Sequence, residues 1–106
     1  MLEKNYYKVD FSDVKSFDDI HSALDESLNF FEYYRDLDSL YDSLTNMLCD
    51  ISVIEILGIE RLEKYDGYDK KILQTFYDTK HAYEGEFADR FLVTVVREDG
   101  TREEIK

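Results

Sequence analysis

Residues 51–57 read ISVIEIL, and isoleucine and valine dominate this stretch. Apolar residues occur at both odd and even positions, so both faces of an extended strand would be apolar. Strands of this kind lie inside parallel sheets, where helices cover the sheet. The stretch is also too short for a typical buried helix. We therefore predict that residues 51–57 form the central strand of a parallel sheet, and we place the other elements around it.

Two amphipathic helices are predicted on the N-terminal side of this strand. The first follows Ser16, with Asp19 three residues later in the position of a capping box. The second follows Asp36 and continues towards Met47 or Leu48. Their apolar stripes, at helical spacing, are Phe17, Ile20, Leu24 and Leu28, then Leu37, Leu40 and Leu44. Before both helices, YYKVDF (6–11) alternates in polarity and predicts the first strand.

Further elements follow on the C-terminal side. IERLEKY (59–65) predicts a short helix, and Asp66-Gly67 breaks the chain. A helix of about three turns then ends near Gly85. Its face is marked by Ile72, Leu73, Phe76, Tyr77 and Lys80. RFLVTVV (90–96) predicts a third strand, and Asp99-Gly100 predicts a hairpin turn that folds TREEIK (101–106) back as an edge strand.

The order of these elements predicts an α/β fold. Strands that alternate with helices form parallel sheets through right-handed crossovers. We expect a small three-stranded parallel sheet packed with about four helices, mostly on one face, and an extra C-terminal edge strand. The length of 106 residues suits one domain, residues 1–106.

Charge restricts the classes of partner. The chain carries 13 basic and 25 acidic residues, a net charge of −12. Proteins that hold nucleic acid or anionic membranes through phosphates need basic patches, so neither partner is expected. A basic protein partner suits this charge. No apolar run suits a signal peptide or a membrane span, and Cys49 is the only cysteine. We therefore expect a cytoplasmic protein.

The second predicted helix carries more acid than folding requires. Asp36 suits the N-cap, and Asp38 lies in the first turn, where the helix dipole favours an anion. Asp42 lies too deep for either effect, and it repels Asp38 one turn away. Asp38, Asp42 and Thr45 share a face that Tyr41 flanks. This face suits a cationic partner, and the alternative is a solvated face.

EYYRDLDSLYDSLT (32–45) resembles the signature segment of the barstar family of intracellular bacterial ribonuclease inhibitors. In that family the segment runs E-Y-Y-G, a short polar turn, then L-D-A-L-W-D-C-L-T. SFDDIHSALDESLNF (16–30), ILQTFYDTK (72–80) and FLVTVV (91–96) resemble other parts of the family, so the resemblance covers about residues 9–96. It implies a three-stranded parallel sheet packed with helices.

The resemblance also implies a mechanism, in which the second helix and its preceding loop plug the active site of a secreted ribonuclease. By motif position, Asp42 replaces an RNA phosphate, Asp38 makes a neighbouring ion pair, and Tyr33 packs on the catalytic histidine of the enzyme. Tyr41 and Thr45 lie at the edge of the contact. The predicted partner-binding residues, with a peripheral acid on the last helix, are Tyr33, Asp38, Tyr41, Asp42, Thr45 and Asp78.

The chain departs from the family pattern beside these residues. Arg35 replaces a glycine, and the turn that follows is one residue shorter. Tyr41 and Ser43 replace a tryptophan and a cysteine. Arg35 is expected on the contact side, where it would repel a basic enzyme. The predicted partner is a basic secreted ribonuclease or a related toxin, bound by a protein that is a monomer when free.

Two other functions are alternatives to inhibition. An enzyme or metal site is not expected, because Asp78 and His81 supply only two groups at i, i+3 spacing, and no cofactor motif occurs. An acidic interaction module is the second alternative, either an immunity protein for another toxin or a mimic of nucleic acid. It is suggested by further acids at Asp10, Asp13, Asp18, Asp19, Asp25 and Glu26.

Overall fold

The computed structural model describes residues 3–30, 33–47, 50–83 and 85–106. Leu48, which was a candidate for the end of the second apolar stripe, and Cys49 lie outside these residues. Within them, no helix combines the length and the apolar character that crossing a bilayer requires.

Across the described residues, the sheet has four strands in the order β1-β2-β3-β4. They are β1 (Lys4–Asp10), β2 (Ile51–Leu57), β3 (Phe91–Val96) and β4 (Arg102–Glu104). The first three are parallel, with Ile54 of β2 opposite Tyr7 and Val93. The predicted hairpin forms, and β4 pairs antiparallel with β3. The prediction of three parallel strands with an edge strand is therefore confirmed, and the complete sheet is mixed.

Three α-helices occur among the described residues: α1 (Phe17–Leu28), α2 (Leu37–Thr45) and α3 (Tyr68–Ala82). Two 3₁₀ segments, Ile59–Leu62 and Gly85–Arg90, complete the helical structure. The expected number of about four helices is therefore wrong in detail, because the stretch after β2 forms only a short 3₁₀ turn. The helix α3 begins before Ile72, since Gly67 adopts a left-handed conformation at its N-cap.

The core lies between the helices and one face of the sheet. Along β2, Ser52, Ile54 and Ile56 are buried, whereas the alternate residues are only half-buried. β3 alternates in the same way. The apolar residues on the second face of β2 are thus partly open to solvent, contrary to the prediction of a strand covered on both sides. This asymmetry agrees with helices packed mostly on one face.

The apolar stripes of the first two helices supply much of this core. Ile20, Leu24, Leu40 and Leu44 are fully buried. Leu37 is only half-buried. Phe17 is 48% exposed and packs edge-on against tyrosine rings at the rim of the core. Its position in the predicted stripe was therefore wrong. Burial of the leucines fixes which face of α2 points outward.

Candidate partner-binding surface

The start of α2 is fixed by two side-chain hydrogen bonds. The Asp36 carboxylate accepts from the backbone N–H of Ser39 at 2.6 Å, so Asp36 is the N-cap that the sequence predicts. The Ser39 hydroxyl accepts in turn from the backbone N–H of Tyr34 at 3.0 Å. These bonds tie the loop to the first helical turn. With Leu40 and Leu44 buried beneath, the opposite face of α2 is presented to solvent.

Asp38 and Asp42 lie on that outward face, one helical turn apart, and both are exposed. Their carboxylates have no ion-pair partner among the described residues; the acids of the ion pairs found there are Asp18, Glu55, Asp66, Glu98 and Glu103. Each therefore keeps its negative charge available to a cation from another molecule.

A groove separates α2 from α3. Its α2 side is lined by Leu37, Asp38, Tyr41 and Asp42, and its α3 side by Thr75 and Asp78. Four of the predicted partner-binding residues therefore line one depression: Asp38, Tyr41, Asp42 and Asp78. Three of these four are carboxylates, so the groove can take a cationic side chain.

A second depression lies on the other flank of α2. Tyr34, Asp36 and Asn46 are part of its lining, and so are the same Asp38 and Asp42. These two aspartates therefore stand on a crest between two grooves. Tyr34 is 74% exposed beside them. The sequence places Tyr33 and Tyr34 side by side, and it contains no signal that tells which of them faces outward.

Tyr33 faces mainly inward. It is half-buried, its ring packs against Phe30, and its hydroxyl is hydrogen-bonded to Nδ1 of His21. Burial raises the pKa of Tyr33, and the nearby Tyr68 adds to this effect. Contact between Tyr33 and a partner stays a prediction, and it would involve only the part of the ring that remains exposed.

Asp78 and Thr45 are placed differently from each other. Asp78 is exposed and accepts a hydrogen bond from Gln74 Nε2 at 2.8 Å, which orients its carboxylate along α3. The Thr45 hydroxyl donates to the backbone carbonyl of Asp42 at 3.0 Å. Thr45 is half-buried and does not line either groove.

The C-terminal end of α2 is anchored by a residue that the sequence did not suggest. Tyr83 is only 6% exposed, and its hydroxyl donates to the carbonyl oxygen of Leu44. That carbonyl also accepts from the backbone N–H of Met47 at 3.2 Å, so Tyr83 adds a second donor at the end of the helix, where carbonyls lack the usual i+4 donor. Burial raises the pKa of Tyr83 to about 12. The hydroxyl therefore stays protonated and can donate at neutral pH.

A family model described as "Barstar (barnase inhibitor)" matches residues 5–96 of the 106-residue chain. The chain belongs to the barstar family. A search of curated proteins finds no match. The acidic groove and most of the sheet lie within the matched region, whereas the final hairpin and β4 lie beyond it.

Membership of the barstar family indicates the class of partner that the acidic surface suits. Barstar family proteins are inhibitors of ribonucleases rather than enzymes, and their partner is a protein. The arrangement in this chain is compatible with that role. His81, which the enzyme alternative would require, is exposed and hydrogen-bonded to the backbone oxygen of Lys106. No group of acids, histidines or cysteines suited to a metal ion occurs in the part of the chain that the structure describes.

Arg35, where the barstar family has glycine, does not behave as the sequence predicts. Its backbone φ is 61°, a left-handed conformation that glycine adopts without cost. Its guanidinium turns towards α1, where it pairs with Asp18 at 2.6 Å and donates to Ser22 Oγ at 3.0 Å. The guanidinium therefore does not take the expected place on the contact side, and Asp18 pairs with its charge. Repulsion of a basic enzyme by Arg35 stays a prediction.

Proposed function

We propose that this protein inhibits a basic ribonuclease by inserting the crest of α2 into the active site of the enzyme. Asp38 and Asp42 take the places of RNA phosphates among the cationic groups of the site. Asp78 adds a charge from the far side of the groove, and Tyr34 and Tyr41 provide aromatic contact surface. The observation that carries the proposal is the pair of unneutralised carboxylates on a crest between two grooves.

Charge also supports this proposal at long range. A net charge of −12 attracts a basic enzyme, and association between oppositely charged proteins reaches about 10⁸–10⁹ M⁻¹s⁻¹ at low salt. Salt screens this attraction over about 8–10 Å at physiological strength. The association rate should therefore fall as salt is added. The proposal includes action in the cytoplasm by a monomer. Sedimentation of the purified protein would test whether it is monomeric.

The experiment measures inhibition of barnase, the enzyme named in the description of the matched family. Purified protein is titrated into barnase while cleavage of an RNA substrate is followed. We expect stoichiometric inhibition by the unmodified chain. Asp42→Asn removes one charge at the crest and should weaken inhibition at least about tenfold, because a charge desolvated in an interface costs about 2–5 kcal/mol when its partner is lost.

Asp13→Asn is the matched control. Asp13 is an exposed aspartate that lines neither groove beside α2, so the change removes the same charge elsewhere. We expect its inhibition constant to change less than about twofold. Equal losses for Asp13→Asn and Asp42→Asn would contradict the proposal, and would instead favour a mimic of nucleic acid that uses its charge over the whole surface. If the unmodified chain does not inhibit barnase, barnase is excluded as the target.

A further inference from the structure

His21 occupies a position that inhibition does not by itself require. It lies on α1 and is 5% exposed, so its imidazole ring is removed from solvent. Its two ring nitrogens are both engaged. Nδ1 is hydrogen-bonded to the hydroxyl of Tyr33, and Nε2 lies 2.7 Å from the hydroxyl of Tyr68. The tyrosine rings also pack around it, with centroids 5.7 Å and 5.6 Å from that of the imidazole.

The chemistry of imidazole suits this arrangement. A neutral ring has one N–H donor and one acceptor nitrogen, while each tyrosine hydroxyl can donate and accept. One hydroxyl can therefore donate to the ring while the other accepts from it. Burial lowers the pKa of His21, which keeps the ring neutral near neutral pH. Neither nitrogen is left unpaired in an environment where an unpaired polar atom is costly.

The two tyrosines belong to the two sides of the acidic groove. Tyr33 lies three residues before Asp36, the N-cap of α2, and Tyr68 is the first residue of α3. His21 thus links the beginnings of both helices to a third helix, α1. The carboxylates of Asp38 and Asp42 follow in the next turns of α2, and Asp78 follows later in α3.

We propose that His21 is a positioning residue that sets the separation of α2 from α3, and thereby the separation of Asp38 and Asp42 from Asp78. The hydrogen bonds from His21 to Tyr33 and Tyr68 exist in the free protein, whereas their effect on the affinity for an enzyme rests on the proposed function. A groove of fixed width presents its charges to an enzyme without a further ordering cost, which is the general advantage of a preorganised surface.

The first experiment tests the link without any partner. Amide hydrogen exchange is compared between the unmodified chain, His21→Ala and the control Ile56→Val. The control loosens the core in β2 and leaves the hydrogen bonds of His21 unchanged. We expect His21→Ala to speed exchange at least about tenfold at Ser39 and Leu40 relative to the amides of β2. The control should raise exchange without this local preference. A uniform change in both variants would overturn the proposal.

Tyr68→Phe is the second variant, for the case in which His21→Ala does not fold. It keeps the ring and deletes one hydroxyl, so it breaks only the bond from His21 to α3. We expect the faster exchange to be confined to the first turns of α3 and to spare Ser39 and Leu40. Unchanged exchange at the start of α3 would overturn the proposal.

The second experiment measures affinity for barnase in a double-mutant cycle, under conditions where every variant is folded. His21→Ala should weaken binding about tenfold in the unmodified chain and less than about twofold in an Asp78→Asn background. The two effects are coupled because the separation of α2 from α3 no longer affects binding once the charge of Asp78 is removed. Additive effects would overturn the role of His21 in binding. If the unmodified chain does not bind barnase, the proposed inhibition of that enzyme fails, and hydrogen exchange still decides whether His21 links the helices.

Discussion

At the scale of single residues, Asp38 and Asp42 stand out because the fold gains little from having both. Two carboxylates one turn apart on an exposed helix face repel each other by a few tenths of a kcal/mol. Asp38 recovers some of this through the helix dipole, since it lies in the first turn. Asp42 has no such compensation. Residues that cost the free protein stability are candidates for contact with a partner.

Asp42→Asn is therefore expected to leave the melting temperature of the free protein unchanged or to raise it slightly. The change removes the repulsion and keeps a side chain of the same shape. Thermal unfolding followed by circular dichroism, with Asp36→Ala as the comparison, would measure this. Asp36 caps the helix, so its replacement by alanine should lower the melting temperature, since a lost N-cap costs about 0.5–2 kcal/mol. A clear decrease for Asp42→Asn would show that its carboxylate has a structural partner in the free protein.

The sequence does not show the orientation of two residues, Arg35 and Tyr33, because their hydrogen-bond partners lie on another element. Arg35 turns along the surface towards α1 because Asp18 and Ser22 lie there, and nothing local to the loop shows this. Tyr33 turns inward for the same reason, because its hydroxyl is hydrogen-bonded to His21 on α1. By contrast, the capping role of Asp36 depends only on residues three positions apart, so the sequence predicted it correctly.

At the scale of elements, α2 is too short to be stable alone. It has nine residues, whereas isolated helices shorter than about 12–15 residues are marginal in water. It is held by the N-cap, by the buried Leu40 and Leu44, and by the hydrogen bond from Tyr83 to Leu44. The helix that carries the proposed contact residues thus depends on contacts from the rest of the chain.

Tyr83→Phe should lower the free energy of unfolding by about 0.5–1.5 kcal/mol, because the buried hydrogen bond from Tyr83 to the Leu44 carbonyl is lost while the N–H of Met47 still donates to it. Urea unfolding followed by circular dichroism would measure the loss. Tyr77→Phe is the matched control, since Tyr77 is 46% exposed on the neighbouring helix α3. We expect it to change stability by less than about 0.5 kcal/mol, as exposed positions usually do. Equal effects of the two changes would contradict the anchoring role of Tyr83.

Elements with a regular pattern of apolar residues were predicted from the sequence, and those without such a pattern were not. Residues 51–57 form β2 with the predicted bounds, because β-branched residues fill a short apolar run. The 3₁₀ segment Gly85–Arg90 was not predicted, since its sequence GEFADR has no apolar period. Part of what holds this segment is Lys80, whose ammonium donates to the backbone oxygens of Ala88 and Phe91. A bond of that kind depends on the fold rather than on local sequence.

At the scale of the whole molecule, the buried histidine makes stability depend on pH. The pKa of His21 in the fold lies below the ordinary value of 6.5, mainly because burial disfavours the charged ring. The unfolded chain therefore binds a proton more readily than the folded chain. The contribution of His21 to stability is complete above pH 6.5 and is lost as pH falls towards its lowered pKa.

The free energy of unfolding should accordingly decrease as the solution is acidified below about pH 6.5, by at most about 1.4 kcal/mol per pH unit for this one group. Urea unfolding at a series of pH values would show the slope, and His21→Gln should lack it. Effects of the other charges are shared by both proteins, so the difference between them isolates His21. Parallel curves for the two proteins would contradict this prediction.

The C-terminal strand has a consequence for how the protein behaves when it is concentrated. β4 consists of Arg102, Glu103 and Glu104, all exposed, and it covers the edge of β3. Without β4, the apolar β3 would present an open row of backbone groups to other chains, a common start of aggregation. A three-residue strand of charged side chains offers an incoming strand little to pair with. The hairpin beyond the family-matched region therefore keeps that end of the sheet from growing.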